Sequence, residues 1–120
     1  PGVPQVWYLD LFAGRNDYAA ADAGGAGGHK EINRTTLTHG DIEHGLSRIV
    51  VRDQLELMRL RNKSPAFEGE LEIHSSDEHR LHLTWKNHDC VATLNADLKG
   101  YGFSVTHKGD ACEEYVTSYR

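Results

Sequence analysis

From Gln5 to Phe12 the chain reads Gln-Val-Trp-Tyr-Leu-Asp-Leu-Phe, almost all apolar or aromatic and without alternation against polar residues. That pattern predicts a strand buried on both faces of a parallel sheet. Pro1 and Pro4 suit its entry, because proline lacks the ladder donor. Ala13-Gly14-Arg15-Asn16-Asp17 then breaks into a loop, and in parallel α/β enzymes the loop after a strand's carboxyl end binds ligand. Asp22–Gly28 (DAGGAGG) carries no large side chain, which fits either a flexible linker or a loop held by its surroundings. Thr38, with Asp41 three residues on, predicts a capped helical turn through Ile42 and Glu43 that ends at Gly45. A longer helix follows from about Ser47 to Asn62. At helical spacing, Val51, Leu55 and Met58 share one face, widened by Leu46, Val50 and Leu57, while Arg48, Arg52, Glu56, Arg59 and Lys63 share another. The charged sector reads as a solvated face.

Beyond Ser64-Pro65-Ala66 the period falls from helical to two. Leu71 and Ile73 alternate within Glu70–His74, and Leu81, Leu83 and Trp85 alternate with His82 and Thr84. Asn87-His88-Asp89 predicts a hairpin turn into a strand from Cys90 to Asn95, and Ser75–Glu78 connects the preceding pair. Tyr101, Phe103 and Val105 continue the pattern, and Tyr115, Thr117 and Tyr119 suit a last strand. The expectation is an antiparallel sheet or small sandwich, packed by one face and wet on the other. Trp85, between alternating leucines, reads as core rather than as a sugar platform.

Composition narrows the function classes. Hydrophobic residues make up 38% and charged residues 26%, and acidic side chains outnumber Lys and Arg by 18 to 13. No basic stripe invites nucleic acid, and no apolar run is long enough to span a membrane or to serve as a signal peptide. Cys90 and Cys112 are too few and too far apart for a disulfide framework or a zinc site, so both read as plain thiols. His39, His44, His74, His79, His82, His88 and His107 lack metal-ligand spacing and read as solvated, with no metal and no cofactor.

The block PGVPQVWYLDLFAGRND, followed by GHKEINRTTL, resembles sucrose phosphorylases and their close relatives in the α-amylase clan. The resemblance covers roughly residues 1–95, with these two blocks its most specific parts. It implies an α/β plus β fold: the last β-strand, active-site loop and last helix of a (β/α)8 TIM barrel over residues 1–66, then a small antiparallel β-sheet domain over residues 67–120. By the same resemblance the chain is a C-terminal fragment, with the remainder of the barrel upstream in one polypeptide.

The chemistry so implied is that of a retaining α-glucoside phosphorylase. A carboxylate attacks the anomeric carbon while a second protonates the leaving oxygen; inorganic phosphate then takes the glucosyl group, giving α-glucose 1-phosphate. The glucosyl donor is sucrose or a related α-glucoside, including anionic ones such as sucrose 6-phosphate or glucosylglycerate. The family's catalytic carboxylates lie on earlier barrel strands, so the expected catalytic set in this chain is empty and the fragment alone is expected to be inactive. Asp10 and Asp17 do not match catalytic positions. A cytoplasmic enzyme is implied, with no nucleic-acid or membrane partner.

What the resemblance assigns here is substrate binding. Arg34, in Glu31-Ile32-Asn33-Arg34, matches an arginine that the family's Asp-Ile-Asn-Arg stretch brings to the glucose pocket, where it pairs with an upstream aspartate. A guanidinium suits this because its rigid fork fixes a carboxylate and sugar hydroxyls in defined geometry. Asn33 is a support for the loop or for a hydroxyl, and Glu31 replaces the family's aspartate. His29 and Lys30 precede the block, and their positive character suits an anionic substrate; read by themselves they are a solvated loop pair. Two other classes remain open: a hydrolase or transglucosidase of the same clan, or a non-catalytic binding module.

Overall fold

The structure, a computed structural model, describes residues 3–74, 77–109 and 115–119. The chain divides into two compact units, Pro1–Met58 and Arg59–Arg120.

In the first unit, residues 3–7 form no regular element and Tyr8–Leu11 closes a single helical turn, α1. The strand expected over Gln5–Phe12 is therefore absent. A strand exists only as part of a hydrogen-bonded ladder, and this unit offers no partner strand among its described residues. Of the apolar run only Leu9 is fully buried, while Val6, Trp7 and Tyr8 stay exposed. α2 (Tyr18–Ala23) starts at Asp17, whose carboxylate accepts the Ala20 N–H at 2.9 Å. A 3-10 helix, Gly25–Glu31, follows at once. Gly28 is buried there, and a Cβ on it would lie 1.7 Å from the Ala21 carbonyl oxygen. Only a glycine lets the 3-10 helix lie against α2, so the glycine-rich stretch is a held loop rather than a linker.

α3 (His39–Ser47) opens with the predicted cap and runs two residues past Gly45. The Thr38 hydroxyl accepts the Asp41 N–H at 3.2 Å, and the Asp41 carboxylate accepts the Thr38 N–H at 2.9 Å. α4 (Ile49–Lys63) buries Val51 completely and half-buries Leu55 and Met58, as the spacing required. Leu46 and Val50 do not join that face: both are exposed.

The second unit contains one five-stranded antiparallel sheet in simple meander order: β1 (Glu70–Ile73), β2 (Arg80–Asn87), β3 (Cys90–Asp97), β4 (Gly102–Lys108) and β5 (Tyr115–Tyr119). Of the connection expected over Ser75–Glu78, Ser75 and Ser76 lie outside the described residues. His88, at φ +53°, makes the tight turn between the paired Asn87 and Cys90. A 3-10 turn, Pro65–Glu68, packs on one end of the sheet, where Ala66, Cys90 and Ala92 form a buried cluster against Phe67 and Trp85. The two aromatic rings sit 5.1 Å apart, so Trp85 is core, not a sugar platform. Leu71 and Ile73 alternate as expected but remain exposed, because β1 is an edge strand.

Two expectations are corrected in this unit. Cys90 is buried and disulfide-bonded, not a plain thiol; separation along the sequence does not measure separation in space. Cys112 lies outside the described residues. His107 is not solvated either: the β4 register carries it into the buried cluster, where its Nε2 meets the Ser64 hydroxyl at 2.6 Å. The same hydroxyl accepts the Ala66 N–H and caps the 3-10 turn. Ser64→Ala removes both contacts and is expected to cost about 1–3 kcal/mol of stability. Thermal unfolding of the complete polypeptide reads this, and an unchanged midpoint would remove the latch.

Two carboxylates are held below the ordinary aspartate value of 3.8. Asp41 is lowered by the side-chain and backbone donors of Thr38, and Asp97 by the N–H groups of Gly100 and Lys99 in the β3–β4 turn. A folded-state pKa below the unfolded one stabilises the folded form at neutral pH, and that contribution is lost as pH falls through the folded value. Protection of the Thr38 and Gly100 amides, which donate to these carboxylates, is expected to fall together as the pH drops below the ordinary aspartate value of 3.8. Intrinsic exchange alone, with no added loss of protection, would contradict it.

Candidate functional site

Arg34 lies on the segment that leaves the 3-10 helix, and its surroundings are built entirely within the first unit. The segment is tied down on both sides of the arginine. The Asp17 N–H donates to the Ile32 carbonyl at 2.8 Å, and the Trp7 indole Nε1–H donates to the Asn33 carbonyl at 2.7 Å. On the other side, the Tyr8 hydroxyl donates to the Thr35 carbonyl at 3.0 Å, and the Thr35 hydroxyl donates to the Arg15 carbonyl at 2.7 Å. Arg34's own N–H donates to the Glu31 carbonyl at 3.1 Å.

The three side-chain bonds join residues 20 to 27 positions apart, so they form only when the chain closes a long loop onto its own beginning. Each is worth about 0.5–1.5 kcal/mol net, and less where water competes. Their joint consequence is geometric: Asn33 and Thr35 are both anchored, and the backbone of Arg34 is held between them.

The Arg34 guanidinium pairs with the Glu31 carboxylate at 3.3 Å, with both side chains about half exposed. An exposed pair of this kind contributes about 0–1 kcal/mol, so the guanidinium can exchange Glu31 for another anion at little cost. Glu31 thus sits beside Arg34 with a carboxylate that can hold the fork in place. Asn33 reaches the clamp through its carbonyl, and its side chain is exposed.

His29 and Lys30 stand exposed in the last turn of the 3-10 helix. The structure therefore places all four expected site residues on one continuous segment, Arg34 and Asn33 in the clamped part and His29 and Lys30 just before it. A cleft of about 610 Å3 in the same unit is lined by Arg15, Thr35, Asp41, His44 and Arg48, among others, and includes none of those four. Asp17 is occupied as the cap of α2, while Asp10 is exposed and only its backbone carbonyl is engaged, accepting from Gln54 at 3.3 Å.

Four residues of this region escape a reading of the sequence: Trp7, Tyr8, Thr35 and Gly28. The first two merge into an expected buried strand, although their polar tips carry a signal. A tryptophan N–H or tyrosine O–H in a packed segment generally finds an acceptor, and here both point to one loop. Gly28 is legible only as one glycine among several.

No family model matches the chain. Among known proteins it is 58% identical over 116 residues to a sucrose 6(F)-phosphate phosphorylase of Ilumatobacter coccineus, a match that covers 97% of this chain and 22% of that enzyme. It is 38% identical over 114 residues to a sucrose 6(F)-phosphate phosphorylase of Thermoanaerobacterium thermosaccharolyticum, covering 95% of this chain and 23% of the relative. A crystal structure of sucrose 6F-phosphate phosphorylase from Thermoanaerobacter thermosaccharolyticum superposes with a TM-score of 0.85 at 36% identity, over 99% of this chain and 24% of that one. The chain thus spans about a fifth to a quarter of the length of the relatives it matches.

Proposed function

From a chain homologous to sucrose 6(F)-phosphate phosphorylase, glucosylglycerol phosphorylase and sucrose phosphorylase, we propose that this is the C-terminal part of a retaining α-glucoside phosphorylase. The complete enzyme transfers a glucosyl group from sucrose or a phosphorylated sucrose to inorganic phosphate and releases α-glucose 1-phosphate. The single observation that carries the reading is 58% identity, maintained over 97% of the chain, to an enzyme of that name. The clamped backbone of Arg34 supports it, because a substrate-binding side chain needs a fixed point of attachment.

In this reading residues 1–66 complete the catalytic (β/α)8 barrel and residues 67–120 form the appended β-domain. The reacting carboxylates belong to the rest of the polypeptide, so the chain alone has no phosphorolytic activity. Arg34 binds the glucosyl unit and an acidic partner, and Asn33 supports the loop. No metal or cofactor is required, and the compartment is the cytoplasm.

His29 and Lys30 favour an anionic substrate. A phosphate group on the leaving sugar is the chemistry they suit, since a positive side chain raises affinity for phosphate and adds nothing for a neutral sugar. The test is glucose 1-phosphate release by the complete polypeptide from sucrose, sucrose 6-phosphate and glucosylglycerate, each with inorganic phosphate. Lys30→Ala is expected to raise KM for sucrose 6-phosphate roughly tenfold, as for the loss of one charge-assisted contact of about 1.4 kcal/mol, and to leave neutral sucrose unchanged. Equal losses on both substrates would remove the charge argument; free glucose as the sole product would favour a hydrolase.

A further inference from the structure

We infer that Trp7 and Tyr8 are positioning residues for Arg34. The inference rests on the proposed substrate-binding role of that arginine. Each aromatic grips a carbonyl next to it in the chain: the indole N–H takes that of Asn33 at 2.7 Å and the phenol O–H that of Thr35 at 3.0 Å. The two rings lie beside each other, centroids 5.2 Å apart and tilted by 46°. They come from adjacent residues, so a single backbone position sets both grips. The Thr35 hydroxyl, donating to the Arg15 carbonyl, closes the third side.

The chemistry explains why these two residue types stand here. Tryptophan and tyrosine each carry one strong donor at the end of a rigid ring with only two rotatable bonds, so a carbonyl can be held at a defined distance with little entropy lost. A leucine or phenylalanine would fill the same apolar space and leave the loop carbonyls to water. The consequence for catalysis is selective. Arg34 carries a flexible side chain, so a shift of its backbone by even about 1 Å moves the fork off its acceptors, and such misplacement can cost up to about a hundredfold in rate.

The test is a double-mutant cycle in the complete enzyme, using sucrose 6-phosphate and inorganic phosphate. Tyr8→Phe and Trp7→Phe keep an aromatic ring and delete one hydrogen bond each. Each is expected to lower kcat/KM about three- to tenfold with the unfolding midpoint nearly unchanged. In an Arg34→Ala background the same substitutions should have no further effect, because residues that act through one another are not additive. A merely structural role would give the same loss in both backgrounds, and that result overturns the inference. So does wild-type activity in both single variants while Arg34→Ala is crippled. If Arg34→Ala itself retains full phosphorolysis, the role of Arg34 falls, and the inference with it.

Discussion

Replacing Arg34 by alanine in the complete enzyme is expected to lower kcat/KM for phosphorolysis by at least about a hundredfold, roughly 3 kcal/mol, the range for removing one partner of a desolvated charge pair. The size follows from what is left behind. Among the described residues the guanidinium pairs with Glu31, half exposed, and losing that pair alone would cost almost nothing. A large loss therefore requires a buried acidic partner contributed by the rest of the polypeptide, together with sugar hydroxyls. Arg34→Lys keeps the charge but not the planar fork and should recover only a small part of the activity. Steady-state kinetics with sucrose and with sucrose 6-phosphate reads both variants. A loss below about threefold for Arg34→Ala would mean that the guanidinium stays on the surface with Glu31, and the substrate-binding role would be withdrawn.

Gly28→Ala should be comparably severe for a different reason. The added methyl would sit 1.7 Å from the Ala21 carbonyl oxygen and 2.8 Å from its carbon, backbone atoms that no rotamer change can move aside. Overpacking of this kind costs about 1–3 kcal/mol, sometimes more. Here it is relieved only by pushing the 3-10 helix Gly25–Glu31 away from α2, and that helix leads directly into the Arg34 segment. The expected outcome is a lowered unfolding midpoint together with a fall in kcat/KM. Gly27→Ala is the matched control, because a Cβ there meets nothing within 4 Å. It should be neutral or slightly stabilising through the unfolded chain. Equal behaviour of the two variants in thermal unfolding and activity would show that the contact between α2 and the 3-10 helix does not hold the loop.

The same two residues show how legibility differs along the chain. Arg34 becomes a candidate from a short motif and a resemblance, without any geometry. Gly28 cannot be singled out among the glycines of DAGGAGG, since the need for a missing Cβ arises from a backbone approach that exists only after folding.

The β-sheet unit is readable almost strand by strand. Alternation with period two is imposed by the pleat itself, and short turns place neighbouring strands side by side, so local pattern and final topology coincide. The capping box at Thr38 and Asp41 and the Val51, Leu55 and Met58 face of α4 are equally local properties.

The failures share one physical origin: each depends on groups distant in sequence. Gln5–Phe12 carries the composition of a buried strand, but strandhood needs a ladder partner, and in this unit the segment turns into α1 instead. His107 looks like any polar histidine until the β4 register sets it opposite Ala92 and brings it to Ser64. Cys90 looks like an isolated thiol, yet it is disulfide-bonded. Trp7 and Tyr8 look like packing, because a donor's acceptor cannot be named before the loop that carries it has closed. Periodicities, caps, the helix face, the meander and the candidate arginine are all written in the order of neighbouring residues, where short-range sterics and hydrogen bonding act. The way that arginine is held is not, because the hydrogen bonds responsible span 20 to 27 residues and come into being only with the closed loop.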